Sequence, residues 1–364
     1  MTGDGALADG GSATGHGATT DSGSPTGHGA TTDSGSATGD GATTDSGSPT
    51  GHGATTDSGS PTGHGATTGG GLLVVGDVVT DVVARHATAL IHGTDTSARI
   101  RTLPGGAGAN VACWAARSGC RDVRLLARVG ADSAAWHRDA LQQAGVRCLL
   151  AVDDDVPTAT VVALVDSAAE RTFLTDSGAV LHLSPDDWSA SMLDGIAHLH
   201  LSGYLLFAAT SRATALLALR EARRRRITVS VDPASAGFLA DLGVDRFLTA
   251  VEGADLLLPN ADEARLLTGL PEPADAAAKL SLQVPRVVVT LGGGGALLAV
   301  AGAVTRHVPA VRVRGAVDTT GAGDAFTGGF LAARLSGADD AAAVEAGCRS
   351  AAEAVATVGG RPGP

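Results

Sequence analysis

From residue 71 onward the chain alternates short apolar, β-branched runs with longer stretches in which Ala and Leu recur at helical spacing. The runs at 72–79 (LLVVGDVV), 123–130, 198–203, 227–232, 254–260 and 286–292 predict strands. Their near-continuous apolar character predicts burial on both faces. Helices are predicted at 109–119, 132–144, 211–225, 261–268 and 275–282, with Gly119 and Gly145 as stop signals. Two hairpins are predicted, 156–166 with 170–175 and 297–302 with 304–309. A last strand at 311–316 (VRVRGA) leads into Asp318–Phe326 and a further helix. This alternation implies an α/β fold, a doubly wound and mostly parallel sheet whose ligands sit beyond the carboxyl ends of its strands.

Residues 1–70 have a different pattern. Thr14, Thr26, Thr38, Thr50 and Thr62 each open a copy of TG(H/D)GATT, a repeat with a period of twelve. With almost no apolar side chains, the repeat cannot bury enough surface to offset the entropy of ordering its backbone. A disordered tail is therefore expected over 1–70, and a folded domain over 71–364. His16, His28, His52 and His64 are too widely spaced for a local metal site, so tandem expansion explains them better.

Charge changes the picture little. The formal net charge of −12 includes seven Asp before residue 71, leaving the folded part at −5. A mildly acidic domain argues against nucleic acid as a partner. The basic run at 223–226 fits the solvated end of a helix. Cys113, Cys120, Cys148 and Cys348 form neither a CxxC pair nor a zinc-like cluster. No run of 18 apolar residues and no secretory leader is present, so no membrane partner and a cytoplasmic location are expected.

The candidate chemistry centres on Asp318-Thr319-Thr320-Gly321-Ala322-Gly323-Asp324-Ala325-Phe326, between a strand and a helix. Small residues at Gly321, Ala322 and Gly323 let backbone N–H groups approach a ligand closely. At a helix N-terminus these donors lack partners and the dipole favours negative charge, which makes an anion hole. Asp324 beside it can accept the proton of an attacking hydroxyl. Alone, a GAGD turn would be no more than a helix entry.

The nonapeptide resembles the C-terminal signature of the ribokinase-like (PfkB) kinases. Gly105-Gly106-Ala107-Gly108-Ala109-Asn110-Val111-Ala112 resembles their N-terminal signature. Four further segments match in order: Gly76–Asp81, Arg128–Asp132 (VGxD), Asn260–Glu263 (NxxE) and the glycine turn at 290–296. The resemblance covers about 71–360. It implies ATP-dependent phosphorylation of a sugar or sugar-acid hydroxyl, with Asp324 as base. It further implies acceptor contacts from Asp77, Asp81, Gly105, Gly106 and Asn110, and ATP contacts from Asn260, Thr290, Gly292 and Gly295. Mg²⁺ would be held through water by Glu263, and K⁺ near Asp318. A small β-sheet lid from about 84–104 and 156–175 is implied, with a homodimer through it. The residues also allow Asn260 and Glu263 to be a helix capping box, a role compatible with the first.

Three departures limit the substrate assignment. Ala107 replaces a Lys common in ribokinases, and Val79 an Asn that contacts ribose. Ser177 and Val180 replace the Arg and Asn of keto-sugar-acid kinases. A nucleoside kinase and a non-catalytic sugar-binding regulator on the same fold stand as alternatives, and the low aromatic content favours sugars over nucleosides.

Overall fold

The structure, a computed structural model, describes residues 69–167 and 170–363. Residues 1–68 of the repeat tail, with the expectation of disorder, lie outside the described residues. In chain order the elements are β1 (Gly71–Val75), β2 (Val79–His86), β3 (Ala98–Gly105), α1 (Ala107–Arg117), β4 (Val123–Gly130), α2 (Ala134–Gln143), β5 (Arg147–Asp153), β6 (Ala159–Val165) and β7 (Arg171–Asp176). They continue with β8 (Ile196–Ser202), α3 (Ala209–Arg224), β9 (Thr228–Asp232), α4 (Ala236–Leu242), α5 (Val244–Ala250), β10 (Leu256–Leu257), α6 (Ala261–Thr268), α7 (Pro273–Leu280), β11 (Arg286–Thr290), β12 (Ala296–Val300), β13 (Ala303–Val308), α8 (Ala322–Leu335) and α9 (Asp340–Ala354).

The main sheet runs β13-β12-β11-β10-β9-β8-β1-β4-β5. Its β11–β12 and β12–β13 pairs are antiparallel and the rest parallel. Every residue of β1 is buried, and the alternation of its side chains sends them to two different core layers. Leu73 and Val75 pack with residues of α3 to α7, while Leu72 and Val74 pack with α1, α2, α8 and α9. This is the doubly wound architecture expected from the sequence. A second sheet, β3-β2-β6-β7, is antiparallel except for β2–β6. It includes the 156–175 hairpin as expected, but its first strand starts at Val79.

Three strand readings need correction. The run 72–79 is not one strand. It ends at Val75, and after Gly76–Val78 the chain leaves for the second sheet. The run 254–260 contributes only Leu256–Leu257 to the ladder, because Pro259 carries no N–H and Asn260 already caps α6. The run 311–316 is not a strand; it is mostly exposed and has no ladder partner, so its Val/Arg alternation has nothing to pair with. β3 and the end of β2 fall in the 84–104 span expected to form sheet, although neither strand was delimited there; β5, α4, α5 and α9 were not predicted.

A polar cluster lies within the core on β8 and β9. His198 and His200 on β8 are buried; His198 pairs with Thr228 Oγ1 and Ser230 Oγ at 2.7 Å each, and His200 with Ser230 Oγ at 2.8 Å. Burial pushes both imidazoles down to about 3. They therefore stay neutral in the fold where an unfolded chain would protonate. Their favourable contribution is present above the ordinary value of about 6.5 and is lost as pH falls from there towards 3. Double replacement, His198→Gln with His200→Gln, is expected to flatten the acid limb of a melting-temperature profile between pH 6.5 and 4. An unchanged limb would show that other groups govern acid unfolding.

Candidate active site

A cavity of about 720 Å³ opens beyond the carboxyl ends of β1, β8 and β9, where a doubly wound sheet places its ligands. Its walls come from the end of β1 and start of β2 (Asp77, Val79, Asp81), from α1, from the second sheet and from the loop entering α8. Of the residues singled out in the sequence, Asp77, Asp81, Gly106, Asn110, Gly321, Ala322, Gly323 and Asp324 line it. Gly105, Asn260, Glu263, Thr290, Gly292, Gly295 and Asp318 do not.

Asp77 is the hinge between strand and site. Its carboxylate accepts from Ala107 N at 2.7 Å, Gly108 N at 3.0 Å and Ser202 Oγ at 2.8 Å. It thus satisfies the open donors at the start of α1 and fixes that helix to the end of β1. Gly106, just before α1, has φ +97°, and a Cβ there would lie 2.6 Å from Asp77 O. Only glycine allows this crossing. Gly105 lies behind the wall, and its carbonyl accepts from Arg361 Nη2 at 3.0 Å.

α1 carries Asn110 to Asp324. Asn110 Nδ2 donates to Asp324 Oδ2 at 2.8 Å, across 214 residues of sequence. Asn110 Oδ1 is buried with no protein partner. Asp324 lies in the first turn of α8, whose N-cap Gly321 has φ +73°. A Cβ on Gly321 would lie 2.4 Å from the Gly360 Cα, whereas one on Gly323 would meet nothing within 4 Å. The loop is thus packed from behind and open in front. Helical geometry leaves the N–H groups of Gly323 and Asp324 without intrahelical acceptors, beside that open space.

The site is strongly acidic. Burial pushes the Asp324 carboxyl well above the usual carboxylate range, against the Asn110 hydrogen bond, and the charges of Asp232, Asp77 and Asp81 add to it. Burial likewise raises Asp81 to about 6, with Arg361 opposing and Asp77 and Asp318 adding. Burial raises Asp232 and Glu263 too, and the Asp232 charge adds to the effect at Glu263. Among the described residues no group of three or more His, Cys, Asp or Glu is placed to hold a metal. This donor set fits Mg²⁺, which keeps waters and shares one or two carboxylates with phosphate oxygens.

Asn260 and Glu263 form the capping box. Asn260 Oδ1 accepts from Asp262 N and Glu263 N at 2.9 Å each, Glu263 Oε2 accepts from Asn260 N at 2.9 Å, and Asn260 Nδ2 donates to Glu263 Oε1 at 2.8 Å. Asn260 also bridges to Thr290 beside the 292–294 turn. The residues expected to contact ATP therefore gather at the ends of β10 and β11, apart from the cavity lining.

Several lining or neighbouring residues were missed. Tyr204, Phe207 and Phe238 form an aromatic cluster in the cavity wall: Phe207 stacks on Phe238 with ring centres 5.0 Å apart, and Tyr204 meets both edge-on. Arg171 on β7 reaches the loop before α8. Its Nη2 donates to Asp318 Oδ1 at 2.5 Å, and its Nη1 to Thr320 Oγ1 at 2.9 Å and Thr319 Oγ1 at 3.2 Å. Asp232, which ends its strand much as Asp77 follows β1, was the one member with a sequence signal.

A profile of the pfkB family of carbohydrate kinases matches residues 71–364. The chain is 35% identical over 276 residues to a fructokinase of Klebsiella pneumoniae, covering 72% of this chain and 84% of that one. Its fold superposes on a crystal structure of ribokinase from Thermotoga maritima with a TM-score of 0.68 at 27% identity, covering 80% and 94% of the two chains. An E. coli crystal structure in complex with ATP and Mg²⁺ shares the fold, with a TM-score of 0.71 at 24% identity and 80% and 94% of the two chains covered.

Proposed function

The chain belongs to the pfkB family of carbohydrate kinases, and on that premise we propose that it transfers the γ-phosphoryl group of ATP to a hydroxyl of a sugar or sugar acid, with Asp324 as the base. The observation that supports this reading is the meeting of Asn110, Asp324 and the first turn of α8 on one cavity wall. In the proposed step Asp324 takes the proton of the acceptor hydroxyl as its oxygen bonds to the γ-phosphorus. The bond from phosphorus to the β,γ-bridging oxygen breaks and ADP leaves. The N–H groups at the start of α8 face the charge that builds on the phosphoryl oxygens. Asp81 and the unpartnered Asn110 Oδ1 offer acceptors for the hydroxyls of the acceptor molecule.

Mg²⁺, carried in by the nucleotide, would neutralise phosphate charge near Asp232 and Glu263. In this reading the second sheet, with Val161, Phe173 and Thr175 in the cavity wall, serves as the lid that excludes water.

The aromatic cluster favours a second reading. Tyr204, Phe207 and Phe238 gather three of the chain's ten aromatic side chains in one wall. That offers a stacking surface to a planar group, as a nucleoside acceptor would carry. Scoring acceptor-dependent ADP release over hexoses, pentoses, sugar acids and nucleosides tests both. The leading reading expects the highest kcat/KM on a free sugar, and Phe207→Ala to change it by less than about threefold. The second expects a nucleoside to lead, and Phe207→Ala to raise its KM by roughly tenfold or more. No acceptor-dependent ADP across the panel would overturn both and leave the non-catalytic regulator.

A further inference from the structure

The K⁺ implied near Asp318 does not fit the side chains there. Asp318 Oδ1 accepts from Arg171 Nη2 at 2.5 Å and from Thr320 N at 2.9 Å, and Oδ2 accepts from Gly359 N at 3.1 Å. On the facing turn the Val355 carbonyl already accepts from Val317 N at 2.8 Å and Asp318 N at 3.3 Å. A cation bound to Asp318 would share its carboxylate with a guanidinium, and like charges at that separation repel.

We propose that Arg171 is a built-in replacement for the monovalent cation: it fixes Asp318, Thr319 and Thr320 in the geometry that starts α8, and makes the protein independent of K⁺. Three observations carry this. Arg171 uses both arms of its fork, one on a carboxylate and one on two hydroxyls, which a spherical ion would otherwise have to organise. The pair is largely withdrawn from water, with side-chain exposures of 19% for Arg171 and 6% for Asp318, so it is not a loose surface bridge. The loop it holds runs directly into Gly321 and Asp324.

Asp318 is held below its ordinary value. Burial works against this, but hydrogen bonds from Thr320 and Gly359 and the Arg171 charge outweigh it. Arg171 touches none of the proposed reacting atoms, so it is a positioning residue acting through the loop. It comes from the second sheet, so it also ties that sheet to the anion hole.

The inference rests on the kinase reading, and the experiment separates the two. Thermal melting of the full chain would be followed at equal ionic strength in KCl, NaCl and tetramethylammonium chloride, together with acceptor-dependent ADP release. Wild type is expected to melt within about 1 °C in all three salts and to keep its rate within about twofold. Arg171→Met should melt lower in Na⁺ and tetramethylammonium, recover roughly 2–4 °C in K⁺ alone, and lose about tenfold in rate that K⁺ partly restores. Arg171→Lys, which keeps a charge, should stay insensitive to K⁺.

A wild-type protein that melts higher in K⁺ than in Na⁺, or that stops working without K⁺, overturns the proposal. So does an Arg171→Met protein equally weakened in every salt, which would make Arg171 a strut, or one indistinguishable from wild type. If Arg171→Met does not fold, the wild-type and Arg171→Lys melts decide. A wild type that releases no ADP with any acceptor ends the kinase reading, while the melting data still decide this one.

Discussion

Asp324→Asn is expected to lower kcat by roughly 10²–10⁴-fold, the range a positioned general base supplies, with little change in acceptor KM. The substitution keeps the shape and still offers an oxygen to Asn110 Nδ2, so geometry is spared and only the proton acceptor is lost. Stability should move the other way. Burial and the charges of Asp232, Asp77 and Asp81 disfavour the ionised form of Asp324 in the fold. A carboxyl raised on folding costs stability as pH rises past its unfolded value, so removing it should leave the melting temperature at pH 7 to 8 unchanged or higher. The sign for activity is opposite: the base works only when deprotonated, so wild-type kcat/KM should fall as pH drops through its raised pKa. Stopped turnover with an intact or raised melting temperature is the expected signature. Near-normal turnover would remove Asp324 from the role.

The second large effect is expected at Gly321→Ala. The residue sits at φ +73°, and its new methyl would lie 2.4 Å from the Gly360 Cα, against backbone that cannot swing aside. Positive φ and overpacking each cost about 1–3 kcal/mol, so a loss of roughly 2–4 kcal/mol is expected. That is a fall in melting temperature on the order of 5–10 °C. Any relief by moving the loop re-aims the first-turn N–H groups of α8, and kcat should fall about 10²-fold even in protein that remains folded. Gly323→Ala is the control. Its methyl meets nothing within 4 Å outside its own helix, so stability should hold while nucleotide affinity changes. Equal melting temperatures for wild type and Gly321→Ala would show that the loop is not packed as described.

The middle of the main sheet was legible in the sequence because those strands are largely buried on both faces and read as apolar runs. β1, β4, β8, β9 and β11 were all found this way. The second sheet was less legible. β2 and β3 carry polar and exposed residues, and their partners lie elsewhere in the second sheet, β3 on β2 and β2 also on β6, so no local pattern announces them. The false strand at 311–316 is the converse, a two-residue alternation without a neighbouring edge. At the site, glycines and carboxylates near strand ends stood out because few other residues fit there. Arg171, Tyr204, Phe207 and Phe238 did not, since an Arg in a hairpin and an aromatic after a strand have many ordinary uses. Only tertiary proximity, across 147 residues from Arg171 to Asp318, gives Arg171 a role.

The candidate chemistry hangs from strand ends, while both core layers pack along the strand bodies. Val79, Ala107, Ser177 and Val180, the positions read in the sequence as differing from the signatures it resembles, line the cavity wall. The two jobs are therefore separable in evolutionary terms. Acceptor preference can drift through these few side chains while the sheet that supports Asp324 is inherited unchanged, so descent from a common kinase is compatible with a substrate none of its relatives shares.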